Sequence, residues 1–324
     1  MLKPSFMRAL AAIALLCACA PFAVHAQSYP AKPIRIVVPF PAGGSFDVAA
    51  RLLAARMQPA LGQNVIVENR PGGGTVIGTE YVARQPADGY TMLMIGPSFT
   101  SHAMRSHVTF DTDRDFRAVT QVIGLTMAIA VNPSLPARDM KEFIALAKAH
   151  PGEISCGTSG PGTSHHLLLE ALKLASHVDI THTPFQGAAH AVPAAVGGHI
   201  TAVLLNVSDI ATFLRNGKLR ALVVSSQTRE EGFPDVPTAR ETGHPEFEAI
   251  NWSGFVVHSG TPPEVVARLN AETVKALNLP DVRDIMRTQT LVPSPSTPDE
   301  FAALIRSDAE RYRRIIREAH VRVE

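Results

Sequence analysis

Two stretches of this chain place glycines, hydroxyls and a helix start at spacings suited to holding an anion. The first is Ile34 to Arg51, reading I-R-I-V-V-P-F-P-A-G-G-S-F-D-V-A-A-R. A β-branched run, Ile34 to Val38, leads into a Pro/Gly loop, Pro39 to Gly44, and a helical pattern opens near Ser45–Asp47. Such a turn gathers unpaired backbone N–H groups at the positive end of a helix dipole. The second stretch repeats the plan: strand Ile154 to Gly157, loop Thr158 to Gly162, helix Thr163 to Leu174. The hydroxyls of Ser45, Ser98, Thr158, Ser159, Thr163 and Ser164 add donors, and neither loop contains Lys or Arg. This is a neutral donor array for a carboxylate. Each N–H bond to such a group contributes about 1.5–3 kcal/mol. A handful of them, less ordering costs, reaches the roughly −8 kcal/mol of micromolar binding.

Other chemistries fit less well. The first loop lacks both the lysine of G-x-x-x-x-G-K-[ST] and the G-x-G-x-x-G spacing, which argues against a nucleotide site. Ser164-His165-His166 could suggest a hydrolase, but adjacent side chains on a helix point about 100° apart and no G-x-S-x-G elbow is present. No catalytic residue is therefore expected. Histidines 165, 166, 177, 182, 190 and 199 lack ligand-type spacing on one element, so neither metal nor cofactor is expected. Asp47 suits either a helix cap or a ligand contact. His166 and Glu170 stand at i, i+4 and can pair on one helix face. Trp252 can wall a cleft or belong to a core.

These loops need a scaffold, and the chain alternates strand and helix patterns to make one. After the first loop come helix Val48–Leu61, closed by Gly62, and strand Val65–Val67. The loop Arg70–Gly74, helix Val76–Ala83 and strand Thr91–Ile95 follow. That order predicts a parallel sheet covered by helices, with ligands beyond the carboxyl ends of the strands. Thr120–Asn132 reads as a strand leaving one lobe for another, and Phe247–His258 as the return. Between them lie helix Asp139–Ala149, strand Val178–Thr183, helix Ala188–Val196, strand Ile200–Leu205, a helix after Asn206-Val207-Ser208, and strand Leu219–Ser225. Three helices end the chain: Pro263–Leu277, Pro280–Arg287 and Pro298–Ala319. The expected fold is α/β in two lobes, each a mainly parallel sheet with flanking helices. Residues 27–124 plus 251–324 form lobe 1 and residues 125–250 lobe 2. Two crossing strands make the hinge, with a cleft between the lobes.

Composition sets the outer bounds. The 324 residues are 46% hydrophobic and 18% charged with a net charge of +1, which suits globular lobes and gives no nucleic-acid footprint. Residues 1–26 read as an export signal: Lys3 and Arg8, an apolar run Ala9–Val24, and the small-residue site Val24-His25-Ala26. Sixteen apolar-biased residues are short for a membrane span. Lipidation at Cys19 is the competing reading of this segment. With Cys17 and Cys19 in the leader, Cys156 stands alone and reads as a small buried hydrophobe.

Several motifs in one order resemble the exported solute receptors of tripartite tricarboxylate transporters, the TctC or Bug family. They are Y-P-x-K-P-I-R-I-V-V-P-F-x-A-G-G-x-x-D from Tyr29 to Asp47, V-x-V-E-N-R-P-G-x-G from Val65 to Gly74, and Asp88-Gly89-Tyr90-Thr91. The G-x-G-[ST]-x-x-H-L-x-x-E set from Gly160 to Glu170, Gly217-Lys218-Leu219-Arg220-Ala221-Leu222, and F-P-D-V-P-T from Phe233 to Thr238 also match. The resemblance covers nearly the whole mature chain. It implies a two-lobed periplasmic binding fold of type II kind that traps a small carboxylate, often through bridging waters, and passes it to a membrane permease. The family's ligand contacts then map onto Ala42, Gly43, Asp47, Ser98, Thr158, Ser159, Thr163, Ser164 and His166. Phe40, Gly162, Gln186 and Asn206 complete the candidate set. The family frequently has Tyr-Lys-Gly where Phe185-Gln186-Gly187 stands, and Asp-Asn where Leu205-Asn206 stands. A mono- or dicarboxylate, an amino acid or an aromatic acid therefore fits at least as well as a tricarboxylate. The expected molecule is a periplasmic monomer without cofactor, serving a permease; a sensory binder and a periplasmic hydrolase are the alternatives.

Overall fold

A computed structural model describes residues 29–101 and 108–321. The leader read over residues 1–26, with Cys17 and Cys19, lies outside the described residues. Among those described, no helix is long and apolar enough to cross a membrane.

The first sheet begins with β1 (Ile34–Val38), flanked in parallel by β2 (Val65–Asn69) and β3 (Thr91–Ile95). Ile34, Ile36, Val37 and Val38 of β1 are all buried, as expected of a strand covered on both faces. Helix α1 (Ser45–Leu61) presents Ala49, Leu53 and Met57 inward and stops at Gly62, whose φ of 65° lets its N–H cap the Gln58 carbonyl. Helices α2 (Val76–Ala83) and α3 (Ser98–Ser101) follow β2 and β3. Helix α1 begins at Ser45, within the Ser45–Asp47 stretch where the sequence pattern opens.

Strand β4 (Phe116–Val131) joins the two halves. At roughly 3.3 Å per residue, its sixteen residues span about 50 Å. Phe116–Thr126 pair antiparallel with β9 (Ile250–His258), which itself pairs with β3. From Met127 to Val131 the partners change to β7 (Ala202–Asn206) and β8 (Arg220–Val224). Beyond β7 lie β5 (Ser155–Thr158) and β6 (Thr181–Pro184), in parallel. The short β10 (Val292–Pro293) pairs with β4 at Ile123 and Gly124. The order β2-β1-β3-β9-β4-β7-β5-β6 is parallel at its outer strands and antiparallel where β3, β9, β4 and β7 meet. Two α/β lobes therefore share one strand.

Alternation along β4 separates the cores of the second lobe. Met127, Ile129 and Val131 join Phe143 of α4 (Met140–Ala149) and Leu168 of α5 (Ser164–Ser176) on one face. Ala128 and Ala130 meet Ala191 of α6 (Ala188–Val196) and Ile210 of α7 (Val207–Arg215) on the other. The first lobe packs Phe99, Phe116 and Trp252 against Phe301 of α10 (Pro298–Glu318), which opens with a capping box at Thr297 and Glu300. Trp252 is 1% exposed, stands edge-to-face with Phe301 at 5.3 Å and donates its indole N–H to Asp308. It is a core residue. Helices α8 (Pro263–Leu277) and α9 (Pro280–Thr288) complete the chain's helical end. Cys156 is fully buried, and burial pushes its thiol up to about 12, which leaves no thiolate for chemistry near neutral pH.

Candidate functional site

A small cavity lies where the strand ends of both sheets face one another. It measures about 40 Å³ in the volume open to the centre of a water molecule, space for roughly three waters. Five helices start at its wall: α1 at Gly44 and Ser45, α3 at Ser98, α5 at Thr163–His165, α6 at Gly187–Ala189, and α7 at Asn206 and Asp209. Phe40, Pro41, Phe46 and Pro97 supply apolar surface, and Phe40 meets Phe46 edge-to-face at 4.9 Å. Gly96 is required here, because a Cβ at this position would lie 2.7 Å from the Phe46 ring. Among the described residues, no Lys or Arg lines the cavity. The positive ends these residues offer an anion are helix starts.

Backbone donors remain open at several of these ends; on α1, Phe46 and Asp47 N–H take no hydrogen bond among the described residues. Among the described residues, the first-turn N–H groups of Ser164 and His165 on α5, and of Ala188 and Ala189 on α6, take no hydrogen bond. Thr163 caps α5: its hydroxyl donates to the Gly160 carbonyl at 2.8 Å and accepts from His166 N–H at 3.4 Å.

A chain of hydrogen bonds ties the two lobes together around the cavity. Asn251 donates to Asn206 Oδ1 at 2.7 Å, so His165 Nε2, 3.1 Å from the same oxygen, carries a proton and donates as well. The other ring nitrogen then accepts from the Ser159 hydroxyl at 2.6 Å. Asn206 Nδ2 donates to Asp209 at 3.0 Å and to the Ser45 hydroxyl at 3.3 Å. Ser45 N–H, the leading donor of α1, is taken by Asp209 Oδ1 at 3.1 Å. A second cross-lobe bond runs from the Ser101 hydroxyl to the Gly162 carbonyl at 2.9 Å. Burial pushes His165 down to about 4, with the Asn206 bond opposing only in part, so the ring is neutral near pH 7. An amide rather than a carboxylate stands behind it. Ser159–His165–Asn206 is thus a fixed donor–acceptor relay that lacks a counter-charge for an imidazolium.

Six of the expected residues line the cavity: Phe40, Ser98, Ser159, Thr163, Ser164 and Asn206. Seven others do not. Ala42 and Gly43 face solvent at the loop tip, and a Cβ on Gly43 would meet nothing within 4 Å. Asp47 is 3% exposed and points back into its own loop. It accepts from Gly43 N–H at 2.9 Å, Arg51 Nε at 3.0 Å and Asn69 Nδ2 at 2.9 Å. Burial by itself pushes this carboxyl up, but Arg51, Gly43 and Asn69 more than offset it and hold it below the usual carboxylate range. Thr158 is bonded to His182 at 2.7 Å. Gly162 donates to His166 Nδ1 at 3.0 Å, and the His166 ring stacks on His182 at 3.8 Å. Gln186 is exposed beside α6. These residues shape the loops from behind.

Phe46, His165, Ala188, Ala189, Asp209 and Asn251 join the site although they were absent from the expected set, and Ser45 joins as one of the expected hydroxyl donors. His165 lies within the second anion motif and could have been placed there. Asn251 had one signal, a polar residue inside an otherwise buried strand. Asp209 reads in sequence as an ordinary first-turn acid, and only the fold brings it to α1.

Two α/β lobes that close helix N-termini around a small cavity define a bilobal solute-binding protein. Residues 49–321 match the family model described as tripartite tricarboxylate transporter family receptor, and the chain belongs to that family. It is 35% identical to the protein BugT of Bordetella pertussis (strain Tohama I) over 322 residues, covering 98% of this chain and 99% of that one. Rpa4515 of R. palustris, solved with adipate, is 28% identical with a TM-score of 0.86, over 90% of this chain and 99% of that chain. MatC of Rhodopseudomonas palustris, solved with bound malate, is 30% identical with a TM-score of 0.84, over 89% and 100%.

Proposed function

We propose that this chain is a non-catalytic receptor of the periplasm that closes on one small organic acid and hands it to the permease of a tripartite transporter. Residues 1–26 then serve as the export signal, and the mature receptor acts as a monomer. Lobe 1 comprises residues 27–124 plus 251–324, and residues 125–250 form lobe 2, close to the change of β4 partners between Thr126 and Met127.

One observation carries the reading: open N–H groups at helix starts line a cavity that has no cationic side chain among the described residues. Such groups bind a carboxylate with little reorganisation. Ser98, Ser159, Thr163, Ser164 and Asn206 are its polar contacts, with His165, Ala188 and Ala189 beside them and Phe40 against the carbon skeleton. Ala42, Gly43, Asp47, Thr158, Gly162, His166 and Gln186 act through the shape of the loops. The solved relatives that hold adipate and malate support an organic acid as the ligand class.

The test is a thermal-shift screen of the mature protein against mono-, di- and tricarboxylates, amino acids and aromatic acids. A ligand that binds only the native state raises the midpoint by mass action. At least one acid should raise it, and Ser164→Trp, which fills the cavity, should abolish the rise while circular dichroism stays unchanged. A flat response across the panel, or turnover of an ester library, would overturn the reading.

A further inference from the structure

The cavity is electrically lopsided. Its α5 and α6 side offers the open N–H groups of Ser164, His165, Ala188 and Ala189. Its α1 and α7 side carries Asp209, the only charged side chain among the described residues of the lining. That carboxylate takes the leading N–H of α1 at 3.1 Å and the Asn206 amide at 3.0 Å, both neutral donors. Among the described residues, no Lys, Arg or His nitrogen stands within salt-bridge distance of it. The Ser45 hydroxyl is a third neutral partner, and a carboxylate has about four acceptor positions, so Asp209 lines the cavity with capacity to spare. The α1 terminus, an anion cradle by sequence, is thus met by an acid of the protein itself.

We propose that Asp209 is a specificity-determining residue, and that the ligand is a zwitterion with one carboxylate on the α5 and α6 ends and an ammonium group against Asp209. The inference rests on the carboxylate-receptor reading and narrows it. A half-buried carboxylate without a cation is an unmatched charge, and an ammonium on the ligand supplies the match. A second ligand carboxylate in that place would confront Asp209 across a site with no Lys or Arg among the described residues. Burial already pushes Asp209 above its ordinary range, against the lowering by Ser45 and Asn206. The Phe40, Phe46, Pro41 and Pro97 surfaces take the carbon skeleton.

The test is calorimetry of wild type and Asp209→Asn with three matched probes of similar length: a neutral amino acid, an unsubstituted monocarboxylate and a dicarboxylate. For wild type, the amino acid should bind on the order of 100-fold more tightly than the dicarboxylate, the factor expected for unlike against like charges near a protein surface. Asp209→Asn, which keeps the shape and an acceptor for Ser45 N–H, should erase most of that ratio by weakening the amino acid and strengthening the dicarboxylate. Equal wild-type affinity for amino acid and dicarboxylate would overturn the inference, whatever the variant does. A ratio unchanged in Asp209→Asn, with the unfolding midpoint preserved, would overturn it too. Binding of the monocarboxylate alone would leave the receptor reading standing and remove the ammonium. If no acid bound, the receptor reading itself would fall.

Discussion

The chain contains two strand–glycine–helix junctions of the same design, and the structure uses them differently. At α5 the loop is buried, its tip is pinned to the opposite lobe by Ser101, and the first-turn N–H groups of Ser164 and His165 stay open to the cavity. At α1 Gly43 stands outward, and the protein's own acids meet the junction. Asp47 takes Gly43 N–H from the same helix, and Asp209 takes Ser45 N–H from the other lobe. One junction keeps its leading donors open, and at the other the leading donor is already taken. A motif specifies where donors gather; the rest of the fold decides whether they remain free.

That contrast can be broken from either side. A large effect is expected at Asp47, whose removal leaves Gly43 N–H, Asn69 and Arg51 without their acceptor. Asp47→Ala should cost about 3 kcal/mol of stability in urea unfolding. A loss well under 1 kcal/mol would show that the first loop needs no internal anchor. Acid should act next, through the second junction. His165 takes a proton near 6.5 when unfolded and only near 4 in the native state. The unfolded chain therefore binds more protons between those values, and stability falls as pH drops from 6.5 to 4. The loss is on the order of 3 kcal/mol for this group alone. His182, also pushed down to about 4 by burial and by Lys173, adds in the same direction. Unfolding midpoints measured at pH 7.5, 5.5 and 4.5 check this, and a flat profile would contradict a buried neutral His165.

A smaller change probes the open donors directly. Ser164 is the first residue of α5 and follows Thr163 in an extended conformation (ψ 162°), so proline fits there while removing the N–H. Ser164→Pro should weaken ligand binding by roughly 10- to 100-fold, one charge-assisted hydrogen bond, with little change in unfolding midpoint. The smallest effect belongs to the other loop. Gly43→Ala adds a Cβ that meets nothing, at a φ of +88° that costs about 1 kcal/mol. Affinity by calorimetry should be unchanged, and a tenfold loss would return the loop tip to the site.

Much of this architecture was legible because hydrophobic periodicity is a local property. Helix Pro263–Leu277 has the bounds its pattern implies, and the extended reading of Phe247–His258 falls on β9. Thr120–Asn132 falls on β4, but the change of partner within that strand is a tertiary event that no period reports. The α5 contacts Ser159, Thr163 and Ser164 were legible for the same local reason: the glycine loop and the helix start adjoin in sequence. Asp209 and Asn251 reach the cavity by the meeting of distant elements, so sequence alone carried no sign of their destination. Asp47 stayed open between two roles for a related reason. An acid in a first turn is equally suited to ligand and to its own loop, and Asn69 and Arg51, which decide the matter, approach from β2 and the next turn.

The central claim is that the bound carboxylate sits on the N–H groups of α5 and α6 and leaves the α1 loop tip alone. A ¹H–¹⁵N spectrum of the mature protein, titrated with an acid that binds, tests it most directly. The amides of Ser164, His165, Ala188 and Ala189 should show the largest downfield proton shifts, with Ala42 and Gly43 nearly still. Large shifts at Ala42 and Gly43 with none at Ser164 and His165 would contradict the account.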